Sequence, residues 1–304
     1  MALHRSRPDL ICHRVMSSQI VKSIASVFLL TSALLPAAEA APREILLWEK
    51  DAPGNTAALH KPVSQPRPGG VTAVEGIGIP SVILHQPSSE GKNRPAVILC
   101  PGGGYSRLAA IETGNGTLEP FLKDGFVVIV LKYRTVPTPR DAADHALVDA
   151  KRAVRFTRHH AEEWGIDPAR IGVVGWSAGA NLTLNLSSHS DQGNPAASDP
   201  VERHSCRPDY VAMLCPWPGG RPITDFPLPA DPPPAFIASA KDDTTAPTRF
   251  AESIDSSWKK TGVPSNLWII ETGGHRAFSY DSTGEGSHWR DRFMKWLPTL
   301  ASKK

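Results

Sequence analysis

The chain is poor in the features that mark several large classes of protein. Only 4 of its 304 residues are cysteine, too few for a disulfide framework. There is no H-E-x-x-H and no Cys/His cluster at ligand spacing, so no metal is expected. Neither G-x-G-x-x-G nor G-x-x-x-x-G-K-[ST] occurs, so no phosphate cradle and no cofactor are expected. Lys and Arg number 33 against 30 Asp and Glu, and no basic block alternates with aromatics. Nucleic acid is therefore not an expected partner. The apolar run Ile24–Leu35 falls short of the roughly 20 residues that span a bilayer.

What the first 40 residues do contain is a targeting pattern. Arg5, Arg7, Arg14 and Lys22 precede the apolar run, and Ala38-Glu39-Ala40 supplies a small-x-small cleavage site. The pattern predicts a signal peptide over residues 1–40, cleavage after Ala40 and an exported product, periplasmic or secreted, without a stable membrane span. An uncleaved N-terminal anchor is the alternative. Met1 and Met16 both stand as starts. Residues 41–304 then have the length of one α/β domain, with 41–80 as an N-terminal arm whose Pro- and Gly-rich stretch 50–70 reads as extended surface chain. The remaining cysteines are Cys100, Cys206 and Cys215. Buried thiols and a Cys206–Cys215 bridge are both compatible with an exported chain.

Gly175-Trp176-Ser177-Ala178-Gly179 is the most informative stretch. It follows the apolar run Ile171–Val174 and precedes a segment that can continue as a helix. Strand, sharp turn, helix is the context in which a serine hydroxyl is presented as a nucleophile. G-x-S-x-G alone arises by chance in a chain this long about one time in ten. The reading therefore needs an oxyanion loop upstream, then an acid and a histidine downstream in that order.

The periodicity supplies a frame for them. Strands are predicted over 82–84, 96–99, 126–131, 171–174, 210–214, 235–238 and 267–270. Helices are predicted over 116–124, 142–164, 247–261 and 287–297, with loops over 190–208 and 216–234. Alternation of this kind implies an α/β fold with a mostly parallel sheet flanked by helices, in one domain. The histidine candidate is His275, just after the strand 267–270 and so at the sheet edge that carries the serine. Most of the alternatives, His60, His85, His145, His159, His160, His189, His204 and His288, fall in loops or on polar helix faces. The acid candidates are Asp242 and Asp243, in a loop after another strand. An aspartate there can also cap a helix, a role open to Asp242. Oxyanion donors are expected from the N–H of Ala178 and from the run Gly102–Gly104, where the absence of side chains lets a carbonyl approach.

Ala96–Tyr105 (AVILCPGGGY), Leu131-Lys132-Tyr133-Arg134, Trp164–Pro168 and Gly273-Gly274-His275 resemble the acetylxylan esterase-like α/β-hydrolases, relatives of the feruloyl-esterase-like (BD-FAE) and hormone-sensitive-lipase-like groups. The resemblance runs over nearly all of 45–297. It implies the α/β-hydrolase fold, a nucleophile at Ser177, the acid at Asp243, the base at His275, and an oxyanion hole at Gly103, Gly104 and Ala178. It further implies an exported serine ester hydrolase acting on small acyl groups, acetyl on a polysaccharide such as xylan. The chain departs from the pattern at Ala180-Asn181, where Gly-His is usual, at Ser239, and at Arg276-Ala277-Phe278. Tyr105, Trp217, Arg276 and Phe278 are candidate walls of the substrate site, each with packing as the alternative, and Arg276 could meet an acidic substituent. A prolyl-oligopeptidase-like peptidase and a catalytically silent carbohydrate-binding protein on the same fold are the competing functions. The natural ester and the oligomeric state are not readable from these residues.

Overall fold

A computed structural model describes residues 41–54, 62–67, 71–89, 91–110, 116–135, 139–279 and 282–298. The expected signal peptide lies outside the described residues, as does His60. Within the unit Ala37–Lys304, the described residues form eleven strands and five α-helices, the seven predicted strands among them and four short strands in addition. The strands are β1 (Arg43–Leu46), β2 (Val63–Arg67), β3 (Val71–Glu75), β4 (Ser81–His85), β5 (Arg94–Cys100), β6 (Arg107–Ala109), β7 (Val127–Lys132), β8 (Ile166–Trp176), β9 (Tyr210–Leu214), β10 (Ala235–Ala240) and β11 (Ser265–Ile270). The helices are α1 (Leu118–Lys123), α2 (Pro139–His159), α3 (Ala178–Ser188), α4 (Thr248–Thr261) and α5 (Trp289–Trp296).

Eight strands form one sheet in the order β1-β4-β7-β5-β8-β9-β10-β11. The neighbours from β7 to β11 pair in parallel, while β4 and β1 join by antiparallel pairing. This is the α/β-hydrolase architecture, a mostly parallel sheet with flanking helices. Central strands such as Val127–Leu131 and Ile171–Trp176 are buried residue after residue, because helices cover both faces. A parallel sheet gathers its strand C-termini on one edge. The loops after Cys100, Trp176, Leu214, Ala240 and Ile270 therefore open together, where ligands collect in folds of this kind.

The structure corrects three expectations. Stretch 50–70 is not wholly free of regular structure: β2 pairs with β3, which pairs with β6, in a separate antiparallel sheet. The arm is also anchored at its start, where Leu47 is buried and its carbonyl accepts from Arg152 Nε at 2.8 Å. The helix expected to Trp164 ends at His159 and continues as hydrogen-bonded turns to Gly165, whose φ of +67° stops it. Strand β8 begins at Ile166, five residues before the apolar run. An irregular register opposite Arg94–Ala96 leaves Pro168–Arg170 exposed, so no apolar pattern betrays that part of the strand.

Candidate active site

The site begins with steric necessity at the turn between β8 and α3. Ser177 sits at φ +53°, ψ −115°, a conformation that side chains rarely adopt. A Cβ at Gly175 would lie 2.2 Å from the Gly179 carbonyl oxygen, and one at Gly179 would lie 2.0 Å from the Cys100 carbonyl oxygen. Both approaches are closer than any real Cβ contact, so only glycine fits at either position. The strained serine is held from three sides. Its N–H donates to the Leu214 carbonyl at 3.0 Å, and its carbonyl accepts from Asn181 N at 3.0 Å and Trp217 N at 3.3 Å.

Three side chains from three loops meet above the turn. Ser177 Oγ lies 2.8 Å from His275 Nε2, and His275 Nδ1 lies 2.8 Å from Asp243 Oδ2. The Asp243 side chain is fully buried. Its other oxygen, Oδ1, accepts from Thr245 N and Ala246 N, each at 2.8 Å. A carboxylate so committed on one oxygen can offer only the other to the imidazole. Hydrogen bonds on both sides of the ring orient it, and with Nδ1–H donated to Asp243 the free lone pair on Nε2 faces the hydroxyl. The geometry can accept a proton from Ser177 and steady the resulting imidazolium.

Of the two candidate acids, the structure brings Asp243 to His275 and gives Asp242 a different task. Asp242 does not cap α4, whose N-terminal flank is Pro247 without any side-chain cap. Instead its carboxylate accepts from Gly273 N at 3.0 Å and Gly274 N at 2.8 Å. Those two N–H groups hold the Asp242 carboxyl below its ordinary range. Asp242 thus pins the loop that carries His275. Trp176 Nε1 ties down the far side of the same loop, donating to the Phe278 carbonyl at 3.0 Å.

The glycine loop after β5 faces the serine. Gly103 and Gly104 have φ of +136° and +63°, and a Cβ at Gly103 would meet the Arg107 carbonyl oxygen at 2.1 Å. The loop is braced from below by Tyr133, whose hydroxyl donates to the Pro101 carbonyl at 2.7 Å. Gly102, Gly103 and Gly104 line a cavity of about 650 Å³ that also contains Ser177 and His275. Ala178 opens α3, and the first N–H groups of a helix have no partner within it. A negatively charged oxygen beside Ser177 would thus be met by the Ala178 end of α3 and by the glycine loop.

Trp217 and Arg276 also line this cavity. Of the other two residues expected as walls, Tyr105 lines an adjoining cavity instead and Phe278 lines neither. Tyr105 is buried and its hydroxyl donates to Asn181 Oδ1 at 2.8 Å. Phe278 is 1 % exposed and packs edge-on against Trp268, with ring centroids 5.7 Å apart. Both rings follow turn residues, where local sequence gives no sign of which way a side chain points.

Cys215 is buried at the wall of the same cavity, and its sulfur is within 4.8 Å of a ligand atom of each of Asp243 and His275. Burial pushes its thiol up to about 12. A thiolate is what binds metal, and at neutral pH this trio offers a protonated sulfur and a ring nitrogen already engaged by Asp243. The bridge weighed between Cys206 and Cys215 is not formed. All three described cysteines are free and buried, and Cys206 Sγ instead accepts from Asp191 N at 3.2 Å. Burial likewise raises Cys100 to about 12, so both thiols are held in the unreactive protonated form at pH 8. Iodoacetamide at pH 8 is expected to leave both unmodified in the folded protein and to alkylate both in urea, read by peptide mass spectrometry.

Comparison with known proteins finds ester hydrolases among those this chain is similar to. The family described as BD-FAE matches residues 83–206. Endo-1,4-beta-xylanase B of Butyrivibrio fibrisolvens is 25% identical over 224 residues, covering 65% of this chain and 34% of that protein. The acetylxylan esterase of Xylanibacter ruminicola is 31% identical over 101 residues, 33% of this chain and 20% of its own length. The chain thus spans about a third or less of these curated relatives. Among solved structures, the acetyl ester-xyloside bifunctional hydrolase of Caldicellulosiruptor lactoaceticus superposes with a TM-score of 0.71 at 28% identity, covering 89% of this chain and 99% of that one.

Proposed function

From the premise that this chain is an α/β-hydrolase of the BD-FAE type, we propose that it is a serine ester hydrolase that removes acetyl groups from carbohydrate. The observation that carries the reading is the unbroken hydrogen-bonded chain from Ser177 through His275 to buried Asp243. Ser177 Oγ attacks the ester carbonyl while His275 Nε2 takes its proton. The negative oxygen that forms is received by the N–H groups of Gly103, Gly104 and Ala178, each such donor being worth on the order of 3 kcal/mol in the transition state. The tetrahedral adduct expels the alcohol, which receives the proton from His275. Water, deprotonated in turn by His275, then releases the acid and restores Ser177. Asp243 keeps the imidazole in the working tautomer throughout.

The acetyl and carbohydrate assignments rest on the relatives, whose names include an acetylxylan esterase and an acetyl ester-xyloside hydrolase. Export follows from the targeting pattern in residues 1–40 and is checked by N-terminal sequencing of secreted protein, which should begin at Ala41. For the substrate, acetylated xylan, p-nitrophenyl esters of two to eight carbons and a methyl ferulate ester should be compared side by side. Release of acetate from xylan, with the acetyl ester preferred among the small substrates, is expected. Turnover of aminoacyl amides without acetyl esters would replace the reading with a peptidase.

A further inference from the structure

Behind Trp217 lies a second cavity that the proposed chemistry does not use. It too has a volume of about 650 Å³, within the range of small-molecule sites. Trp217 is half-buried and lines both spaces, so the second adjoins the one over Ser177. Its wall is fixed in advance. Asn181, 1 % exposed, accepts from the Tyr105 hydroxyl at 2.8 Å and donates to the Trp217 carbonyl at 2.9 Å. The chain then passes through Gly219 and Gly220, both at positive φ, with no side chain to occupy the space.

Unlike the cavity over Ser177, this one is lined by carboxylates as well as by a guanidinium. Asp144 lines the cavity, is exposed, and its side chain makes no hydrogen bond or ion pair among the described residues. Arg221 lines it as well. Its guanidinium is steadied 4.5 Å from the Phe226 ring centroid, with Nε 3.5 Å from Asp225 Oδ2, while Nη1 has no partner among the described residues. An ionised carboxylate only accepts hydrogen bonds and a guanidinium only donates them. An occupant that serves both must therefore donate and accept within one small molecule. Hydroxyl groups on adjacent carbons do this. Asp225 also lines the cavity, with an oxygen 3.5 Å from Arg221 Nε, so a ligand of either net charge would meet a like charge in the lining, and a neutral one meets none. The indole of Trp217 offers a flat apolar surface to the C–H face of a ring.

We propose that this cavity is a binding subsite for a neutral pyranose, occupied by a sugar unit next to the one whose ester lies over Ser177. The identity of that neighbouring ester rests on the esterase reading, whereas the subsite itself does not. Asp144 and Arg221 hold the hydroxyls, and Trp217, shared by the two cavities, supports the ring between them. Because the wall is already hydrogen-bonded, little ordering is needed on binding.

The test uses Arg221→Ala and Asp144→Asn, neither of which lines the cavity over Ser177. On acetylated xylotriose each is expected to lower kcat/KM about 10-fold, mainly through KM, as loss of one charge-assisted hydrogen bond does. On p-nitrophenyl acetate, which is too small to reach the subsite, both should stay within about 2-fold of wild type. Equal losses on both substrates, or none on the trisaccharide, would overturn the subsite. A second arm removes the chemistry altogether. Unacetylated xylotriose is titrated calorimetrically into Ser177→Ala protein and into Ser177→Ala/Arg221→Ala protein, both checked by thermal melting. Binding that weakens about 10-fold with the second substitution supports the subsite even if no ester is ever cleaved. Ester hydrolysis with xylotriose binding that is absent or indifferent to Arg221 would refute the subsite and leave the esterase reading intact.

Discussion

Asp243→Asn is expected to lower turnover of p-nitrophenyl acetate by about 10⁴-fold while leaving the fold and the KM nearly unchanged. The reason is local. Asp243 Oδ1 accepts two backbone hydrogen bonds, from Thr245 N and Ala246 N. In the asparagine variant the amide oxygen must take that place, because the amide nitrogen cannot accept from either N–H. The NH₂ group then faces His275 Nδ1, now 2.8 Å from Oδ2. Nδ1 is forced to become an acceptor, the proton moves to Nε2, and the ring can no longer take the proton of Ser177 Oγ. Steady-state kinetics give the rate and circular dichroism the fold. A loss under 10-fold would show that another group orients the imidazole.

The second large effect is on stability rather than rate. Asp149→Ala should destabilise the protein by about 3–5 kcal/mol, because it strands a buried cation. The side chains of Arg134 and Asp149 are both fully buried. Asp149 Oδ2 accepts from Arg134 N at 2.8 Å and Oδ1 from Arg134 Nη2 at 2.7 Å, with Nε 3.0 Å from Oδ1. Burial pushes the Asp149 carboxyl up to about 6, and the hydrogen bonds and charge of Arg134 pull against that rise. A loss of this size is a large part of the 5–15 kcal/mol that holds a typical domain together. The pair also touches the site indirectly. Arg134 Nη1 donates to the Pro53 carbonyl at 2.8 Å, and the preceding Tyr133 braces the glycine loop through Pro101. Replacing both partners by apolar residues of similar size, as in Arg134→Met/Asp149→Leu, should recover only part of the loss, because Arg134 N and the Pro53 carbonyl lose their partners. Urea denaturation of the three proteins measures both statements. A midpoint for Asp149→Ala equal to wild type would contradict the first.

Much of this architecture is legible in the sequence, for identifiable reasons. The central strands announce themselves because parallel strands buried on both faces are continuous apolar runs, as at Val127–Leu131. The elbow is legible because two glycines are sterically compulsory, with Cβ approaches near 2 Å at Gly175 and Gly179. Ser177, Asp243 and His275 can be picked out because each lies just beyond an apolar run, and a parallel sheet must bring those ends to one edge. Other features leave no local trace. Asp242 looks like a helix cap, and its true partners, Gly273 N and Gly274 N, lie on another loop some thirty residues away. The small sheet β2-β3-β6 is short and contains Pro66, so its pairing depends on β6 arriving from beyond β5. Phe278 looks like a cavity wall because it flanks a site residue, but a turn points it inward, while Tyr105 lines the cavity behind Trp217 rather than the one over Ser177. Asn181 reads only as a substitution after the elbow until the structure places it between Tyr105 and Trp217.

Ser177 as the nucleophile is the central claim. The most direct measurement is hydrolysis of p-nitrophenyl acetate by wild-type and Ser177→Ala proteins at equal concentration, with folding of the variant verified by its thermal melt. The proposed mechanism predicts that the variant loses at least about 10³-fold in kcat. Equal rates in the two proteins would contradict it.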